Sequence, residues 1–175
     1  MSDGEGRGGL GEAGVGFRRL EESDFPLLLE WLLLPHVREW WDEGEHTIEM
    51  VREAYGPEPG VSRFIGLLSD PDRRFPVPFG FFQYYRIDKE TVGIDQFIGV
   101  PELVGKGLGT TAVRRFSEMI FGEIAPSRIT LDPHPDNRRA IRCCEKAGFR
   151  HLKTETVANG EPAYLMELTR DAGEC

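Results

Sequence analysis

A glycine-rich segment past the middle of the chain has the composition of an anion-binding turn. Residues 104–110 read Val-Gly-Lys-Gly-Leu-Gly-Thr and lie between a strand-like apolar run (92–100) and a helix-like run (111–121). Backbone N–H groups left uncovered at the positive end of a helix can bind a phosphate. The segment therefore predicts a site for a phosphorylated cofactor, with a plain structural turn as the alternative. The predicted donors are the amides of Gly105, Lys106, Gly107, Leu108, Gly109 and Thr110.

Two common nucleotide-binding motifs do not fit this segment. Lys106 is followed by Gly107 instead of Ser or Thr, which excludes a P-loop. The dinucleotide-binding pattern needs an early strand and an acidic residue about twenty residues after the glycines. Here the glycines come late, and the corresponding distance ends in a proline-containing linker.

Two carboxylates interrupt or end apolar strand-like runs. Asp95 lies inside the run 92–100, and Asp132 follows Arg-Ile-Thr-Leu at 128–131. A carboxylate in such a place costs free energy unless it is paired or used. If the two strands are neighbours, both acids line one cleft. The structural alternatives are a salt bridge in the sheet for Asp95 and a turn before Pro133 for Asp132.

An aromatic pair precedes a run of acidic residues. Trp40 and Trp41 are followed by Asp42, Glu43 and Glu45. An aromatic wall beside carboxylates suits a polycationic ligand, through stacking and cation–π attraction. We expect Trp40 in the core and Trp41 and Asp42 in contact with substrate. The alternative is that the acidic residues form a solvated loop.

Composition narrows the class of protein. A chain of 175 residues with a net charge of −9 fits one domain, argues against nucleic acid and suits a cationic small molecule. Three cysteines form no disulfide framework, and the four histidines have no metal-ligand spacing, so we expect no metal and a cytoplasmic location. The apolar run 27–35 is too short to span a membrane. Residues 1–16 are expected to form a flexible Gly-rich tail, and 17–170 the domain.

The hydrophobic pattern predicts a mixed, mostly antiparallel α/β sheet with a central βαβ unit and helices on both faces. Asp136 is expected to cap the last helix, and the strand around Phe79 to Tyr85 fits either the sheet core or a dimer edge. A monomer and a homodimer both stay open. Strands are predicted at 17–20, 63–68, 77–85, 92–100, 128–132, 149–157 and 163–168, and helices at 24–34, 47–55, 111–121 and 137–147.

Two motifs together resemble the GNAT acyltransferase superfamily. They are the glycine segment after a strand and, at 137–149, Asn-Arg-Arg-Ala-Ile-Arg-Cys-Cys-Glu-Lys-Ala-Gly-Phe. Three shorter stretches are similar to the aminoglycoside 6′-N-acetyltransferases of that superfamily: Glu-Trp-Trp at 39–41, Gly-Ile-Asp-Gln at 93–96 and Asp-Pro-x-Pro at 132–135. Tyr55 and Gln83 fall where that group has a substrate-side Tyr and Gln.

The resemblance implies an acetyl-CoA-dependent enzyme that acetylates the 6′-amine of an aminoglycoside and so confers antibiotic resistance. The glycine segment would bind the coenzyme diphosphate, and the pantetheine would run beside the strand at 95–98. A backbone amide near Phe97 or Ile98 would hold the carbonyl oxygen. Asn137 would bond the coenzyme or cap its helix.

On the acceptor side, we expect Asp95 to bind the reactive ammonium and take its proton, directly or through water, and Asp132 to anchor a second amine. Trp41, Asp42, Tyr55 and Gln83 would contact the substrate.

The chain departs from the family pattern at two positions. Val104 stands where a Gln or Arg usually contacts phosphate, and Cys144 stands where a Tyr usually protonates the leaving thiolate. Cys144 is either a replacement proton donor or a small buried helix residue. These departures keep two other functions open: acetylation of another amine (a protein N-terminus, a polyamine or a siderophore precursor), and acyl-CoA binding with little catalysis.

Overall fold

A computed structural model of the chain describes residues 14–41 and 43–170. The strands are β1 Val15–Arg19, β2 Val61–Leu68, β3 Val77–Arg86, β4 Thr91–Ile98, β5 Arg128–Leu131, β6 Arg150–Thr156 and β7 Pro162–Thr169. The helices are α1 Phe25–Leu32, α2 Pro35–Arg38, α3 Ile48–Tyr55, α4 Leu108–Ile124 and α5 Arg138–Lys146, with 3-10 turns at Glu22–Asp24 and Pro101–Leu103.

These strands form one sheet in the order β1-β2-β3-β4-β5-β7-β6. β4 and β5 pair in parallel, because α4 carries the chain across the sheet between them. The other neighbours are antiparallel. This confirms the predicted mixed, mostly antiparallel sheet with its central βαβ unit. No helix in the described ranges is long and apolar enough to cross a membrane.

Helices cover both faces of the sheet, as predicted. On β3, Phe82 belongs to the core cluster that includes Phe116 of α4, whereas Phe81 belongs to a second cluster with α1 and α3. Successive strand residues point to opposite faces, so one strand serves both clusters. Phe79, Phe81 and Phe82 are fully buried, and each such side chain contributes roughly 1.5–3 kcal/mol. β3 is therefore an interior strand, and the dimer-edge alternative for it is wrong.

β4 and β5 pair briefly and then separate. β4 pairs with β3 as far as Ile98 but with β5 only over Thr91, Val92 and Gly93. At Gly93 a Cβ atom would lie 2.5 Å from the Tyr85 ring, so this position has no room for a side chain. The separation leaves a wedge-shaped opening at the carboxyl ends of the two parallel strands, where α/β sheets commonly bind ligands.

Several predicted boundaries hold. Thr47 caps α3, its Oγ1 accepting from the Met50 amide at 3.3 Å. Gly148 follows α5 with a φ of +105°, and Gly160 turns the β6–β7 hairpin with a φ of +86°. Other boundaries move. α4 begins at Leu108, directly after Gly107, instead of at 111.

Two further expectations are wrong in detail, and the short helix α2 was not predicted. β1 begins at Val15, inside the tail predicted for 1–16, and residues 1–13 of that tail lie outside the described residues. Pro35 starts α2, because proline is well tolerated in a first helical turn. The cap of α5 is Asn137 instead of Asp136, with Asn137 Oδ1 accepting from the Ala140 amide at 3.1 Å.

Candidate active site

A cleft of about 1130 Å³ occupies the opening between β4 and β5. The glycine segment and α5 line one end, and residues from the α2–α3 region and β3 line the other. Asp95 and Asp132 both line this cleft, as the sequence predicts. Except for Lys106 and Leu108, which do not line it, the predicted cofactor-binding residues share this cavity with Trp41, Tyr55 and Gln83.

The glycine segment forms a left-handed turn that leads directly into the 17-residue α4. Gly105 and Gly107 have φ values of +77° and +86°, a region that residues with a Cβ rarely adopt. The first turn of α4 contains no acidic residue. Leu108 is buried in the core, so only its backbone can face the cleft. The backbone N–H groups of this turn, at the N-terminus of α4, are therefore suited to binding an anion.

The two ends of the cleft carry opposite charge. Cationic side chains from α5 line the end beside the glycine segment: Arg139, Arg142 and Lys146. Carboxylates outnumber cations at the other end, where Glu39, Glu43, Asp95, Asp132 and Glu161 lie with Arg38 and Arg63. One end therefore favours a polyanion, and the other a polycation.

Asp95 lies on β4 directly opposite Gln83 on β3, and Gln83 Nε2 donates to Asp95 Oδ2 at 2.9 Å. Burial raises the pKa of the Asp95 carboxyl to about 6, and the nearby charges of Asp132 and Glu43 add to this, while the Gln83 bond opposes it. A carboxylate that changes charge near neutral pH is suited to general-base work.

Asp132 directly follows β5 and opens onto the cleft. Desolvation by the cleft walls raises its pKa, and the charge of Glu155 adds to that effect. Asp132 is exposed to water in the absence of a ligand. The next residue, Pro133, accepts from the Tyr164 amide at 2.9 Å, which fixes the strand end that carries Asp132.

The aromatic wall differs from the prediction. Trp40 is 38% exposed and lies 5.8 Å from the His134 ring, so its predicted core position is wrong. The reason is helical spacing: the Trp41 amide donates to the Val37 carbonyl, which puts Trp41 on the same buried side as Val37. Both tryptophans line the cleft, whereas Asp42 lies outside the described residues.

Trp41 and Tyr55 are bonded to each other. Trp41 Nε1 donates to the Tyr55 hydroxyl at 2.9 Å, and the Trp41 ring lies 5.2 Å from Phe97 and 5.9 Å from Phe81. Burial raises the pKa of Tyr55, so the phenol stays neutral. Tyr55, Gln83 and Trp41 thus line the same cleft, and their contact with a substrate stays a prediction.

Three residues of the site were missed by sequence reasoning. Burial, with the charges of Asp95 and Asp132, raises the pKa of Tyr85, which lines the cleft two residues after Gln83. Strand alternation could have found Tyr85, since residues two apart share a face. His36 Nε2 lies 2.9 Å from the Ile98 carbonyl oxygen at the end of β4. Arg63 contacts Gln83 from β2, and its sequence position gave no signal for this.

The two cysteines of α5 differ in exposure. Thr110 Oγ1 donates to Cys143 Sγ at 3.6 Å, which places this thiol against the first turn of α4. The neighbouring Cys144 thiol lowers the pKa of Cys143, and Cys143 together with burial raises the pKa of Cys144. Cys144 is only 3% exposed and retains its proton.

Comparisons with known proteins agree with this geometry. The family model described as an acetyltransferase (GNAT) domain matches residues 21–157. The aminoglycoside N(6′)-acetyltransferase type 1 of Klebsiella pneumoniae is 36% identical over 91% of this chain and 85% of its own length.

Solved structures of the aminoglycoside acetyltransferase AAC(6′)-Ib are also similar. A complex with paromomycin and acetyl-CoA superposes with a TM-score of 0.81 at 36% identity, covering 91% of this chain and 95% of the other. A complex with coenzyme A and kanamycin gives a TM-score of 0.80 at 36% identity, covering 90% and 96%. The family model and these relatives each cover most of the chain, and we conclude that it belongs to the GNAT family of acetyltransferases.

Proposed function

We propose that this protein acetylates the 6′-amine of aminoglycoside antibiotics, with acetyl-CoA as the donor, and thereby confers resistance. The observation that carries the proposal is the charge-divided cleft. It has an amide-rich turn and cations at one end and Asp95 with an acidic, aromatic wall at the other. The relatives named as aminoglycoside acetyltransferases, and their complexes with acetyl-CoA or coenzyme A, support this choice.

The donor end fits a coenzyme diphosphate. Amides of Gly105 to Thr110 would bind the phosphate oxygens, helped by the helix dipole of α4 and by Asn137 at the start of α5. The edge of β4 beyond Gly93 has no strand pairing with β5, so its backbone is available to a pantetheine chain. Acetyl-CoA supplies the activated acetyl group when it is bound.

At the acceptor end, Asp95 binds the substrate ammonium and takes its proton, directly or through a water molecule. Asp132 holds a second amine, because it projects into the same cleft from the neighbouring strand end. Trp41, Tyr55 and Gln83 form the wall against which the sugar rings lie. Positioned charges of this kind align the amine with the thioester and so lower the barrier by proximity.

The end of β4 is suited to holding the carbonyl oxygen. A backbone N–H of Phe97 or Ile98 would donate to the oxygen as negative charge develops on it. His36 Nε2 contacts the Ile98 carbonyl at 2.9 Å, and the Phe97 ring lies 5.6 Å from Phe81. These contacts hold the strand end in place. We place the reaction in the cytoplasm, since Cys143 and Cys144 are free thiols, as a reducing compartment favours.

The test compares Asp95→Asn with a matched control, Asp88→Asn. Asp88 is an exposed turn residue whose Oδ1 accepts from the Glu90 and Thr91 amides, outside the cleft. Thiol release from acetyl-CoA is measured with kanamycin, polyamines and basic peptides, and acetyl-CoA affinity by calorimetry. We expect Asp95→Asn to bind acetyl-CoA normally and to lose about a hundredfold or more of its kanamycin turnover.

Asp88→Asn should retain the parent turnover. Parent-like turnover in Asp95→Asn would refute the base assignment. Acetylation of polyamines or peptides without aminoglycosides would refute the substrate. Mapping the acetyl group on the product by NMR tests the 6′ position.

A further inference from the structure

Arg63, on β2, contacts several groups at once. Its side chain is only 10% exposed. Nη1 donates to the Gly56 carbonyl at 2.7 Å and Nη2 to the Ala54 carbonyl at 3.2 Å, both at the end of α3. Nη2 also pairs with the Glu58 carboxylate at 2.6 Å, and Nε donates to Gln83 Oε1 at 3.3 Å.

Arg63, Gln83 and Asp95 lie directly opposite one another on three adjacent strands. The side chains form a continuous chain of bonds, from Arg63 Nε to Gln83 Oε1 and from Gln83 Nε2 to Asp95 Oδ2. A guanidinium can only donate, so the Gln83 oxygen must face Arg63 and its amino group must face Asp95. An unconstrained Gln could present either end to the carboxylate.

We infer that Arg63 is a positioning residue that fixes the orientation of the Gln83 amide and, through it, the Asp95 carboxylate. The inference rests on the proposed role of Asp95 as base. With Oδ2 engaged by Gln83, Oδ1 is left for the substrate amine. The same guanidinium also bonds the end of α3 that carries Tyr55. Arg63 therefore positions both the aromatic wall and the proposed base.

The groups that face Asp95 determine the direction in which its pKa changes when Arg63 is lost. Asp132 beyond β5 and Glu43 from the α2–α3 connection are acidic and disfavour its ionised form, and Tyr85 on β3 is neutral. Gln83 favours the ionised form by donating to it. Without Arg63, the amide can rotate when Asp95 is protonated and accept a hydrogen bond from the carboxyl, which favours the neutral form. Loss of Arg63 therefore moves the titration of Asp95 to higher pH.

The test is the pH dependence of kcat/KM for the amine substrate in the full-length Arg63→Met variant. We expect the acidic limb to move up by about one pH unit, so that activity at pH 6 falls about fivefold beyond any loss at pH 8. KM for acetyl-CoA should not change. Arg63→Lys keeps the charge but not the planar donors, and its limb should fall between those of the parent and Arg63→Met.

Arg18→Met is the matched control, since Arg18 makes a comparable pair with Asp24 (2.7 Å) far from Gln83. Its acidic limb should coincide with that of the parent. A folded Arg63→Met variant with the parent's acidic limb would overturn the inference.

A second variant keeps the inference testable if Arg63→Met does not fold. Gln83→Leu removes the middle of the chain and should shift the acidic limb by a similar amount. Adding Arg63→Lys to Gln83→Leu should cause no further shift, because both act through one path. Additive shifts would refute the relay. If Asp95→Asn retains activity, the proposed base is wrong. If Asp95→Asn is inactive while both Arg63 variants keep the parent's profile, only the role of Arg63 is wrong.

Discussion

The indole Nε1 of Trp41 donates a hydrogen bond to the hydroxyl oxygen of Tyr55 at 2.9 Å. This bond joins the chain that leaves α2 to the last residue of α3, on either side of the stretch that contains Asp42. The Tyr55 ring in turn lies 5.3 Å from Phe81 on the sheet. The fold itself thus holds this aromatic wall in position, which would reduce the entropy lost when the proposed substrate binds.

Tyr55→Phe should weaken this wall without touching the donor end. The variant keeps the ring but leaves the Trp41 N–H without its acceptor, at a cost of about 1–2 kcal/mol in the free energy of unfolding. We expect KM for the aminoglycoside to rise severalfold and KM for acetyl-CoA to stay constant, as measured by steady-state kinetics and urea denaturation. Tyr164→Phe, where the ring stacks on His151 at 4.0 Å, is the control. Equal amine KM values in Tyr55→Phe and the parent would contradict the role of the bond.

The donor turn and the two acids could be predicted because their signals are local. Glycines at alternate positions between a strand and a helix, and an acid inside or after an apolar run, can be recognised without knowing the fold. Tyr55 and Gln83 came from resemblance alone. The exact start of α4 was not predictable from periodicity, because Gly107 itself caps the helix in a left-handed conformation.

Contacts between distant segments could not be predicted. Arg63 reaches Gln83 across 20 residues, and His36 reaches Ile98 across 62. Such pairs depend on strand order and register, which a single sequence does not determine. The wrong core position predicted for Trp40 had a similar cause: the short helix α2, which was not predicted, decides which tryptophan faces the core.

Gly107→Ala should damage the donor site through backbone strain. Gly107 has a φ of +86°, and a Cβ added there would meet no atom within 4 Å. The loss of stability therefore comes from the strained backbone conformation and not from steric crowding, and it amounts to about 1–2 kcal/mol. Relaxing that strain moves the amides that follow, and we expect acetyl-CoA affinity to fall about tenfold by calorimetry.

Gly122→Ala is the control within the same helix. A Cβ at Gly122 also meets nothing within 4 Å, but Gly122 has ordinary helical geometry. Alanine there should add about 0.5–1 kcal/mol of stability and leave binding unchanged. Parent-like affinity in Gly107→Ala would argue that the coenzyme binds elsewhere.

Cys144→Ala separates the two roles open to this thiol, and its catalytic role stays a prediction. The side chain is buried beside Ile141 and Phe149 in the main core cluster, which favours the structural role. We expect kcat to fall less than about threefold, with a loss of roughly 1 kcal/mol in stability. A fall of about tenfold or more, with Cys144→Ser partly active, would instead identify the thiol as the proton donor.

The Asp95 carboxylate should lower the free energy of unfolding as pH rises, and Asp95→Asn should abolish this loss. Burial raises its pKa from 3.8 to about 6. Between these values the folded chain holds a proton that the unfolded chain has lost, so stability is complete below about pH 4 and declines until about pH 6. The cost above pH 7 reaches up to about 3 kcal/mol. Asp95→Asn should therefore be more stable than the parent at pH 8 and equally stable at pH 4, as followed by urea denaturation.

Asp88→Asn should behave in the opposite way. The Glu90 amide, followed by the Thr91 amide, lowers the pKa of Asp88, so its charge stabilises the fold above about pH 4 and this stabilisation disappears as pH falls through its folded-state pKa. The variant should be less stable than the parent at pH 8. If Asp95→Asn gained no stability at pH 8, the Asp95 carboxylate would not be the desolvated, strained group that a base with a pKa near 6 requires. The loss of turnover in that variant would then need another cause than the removal of a poised base.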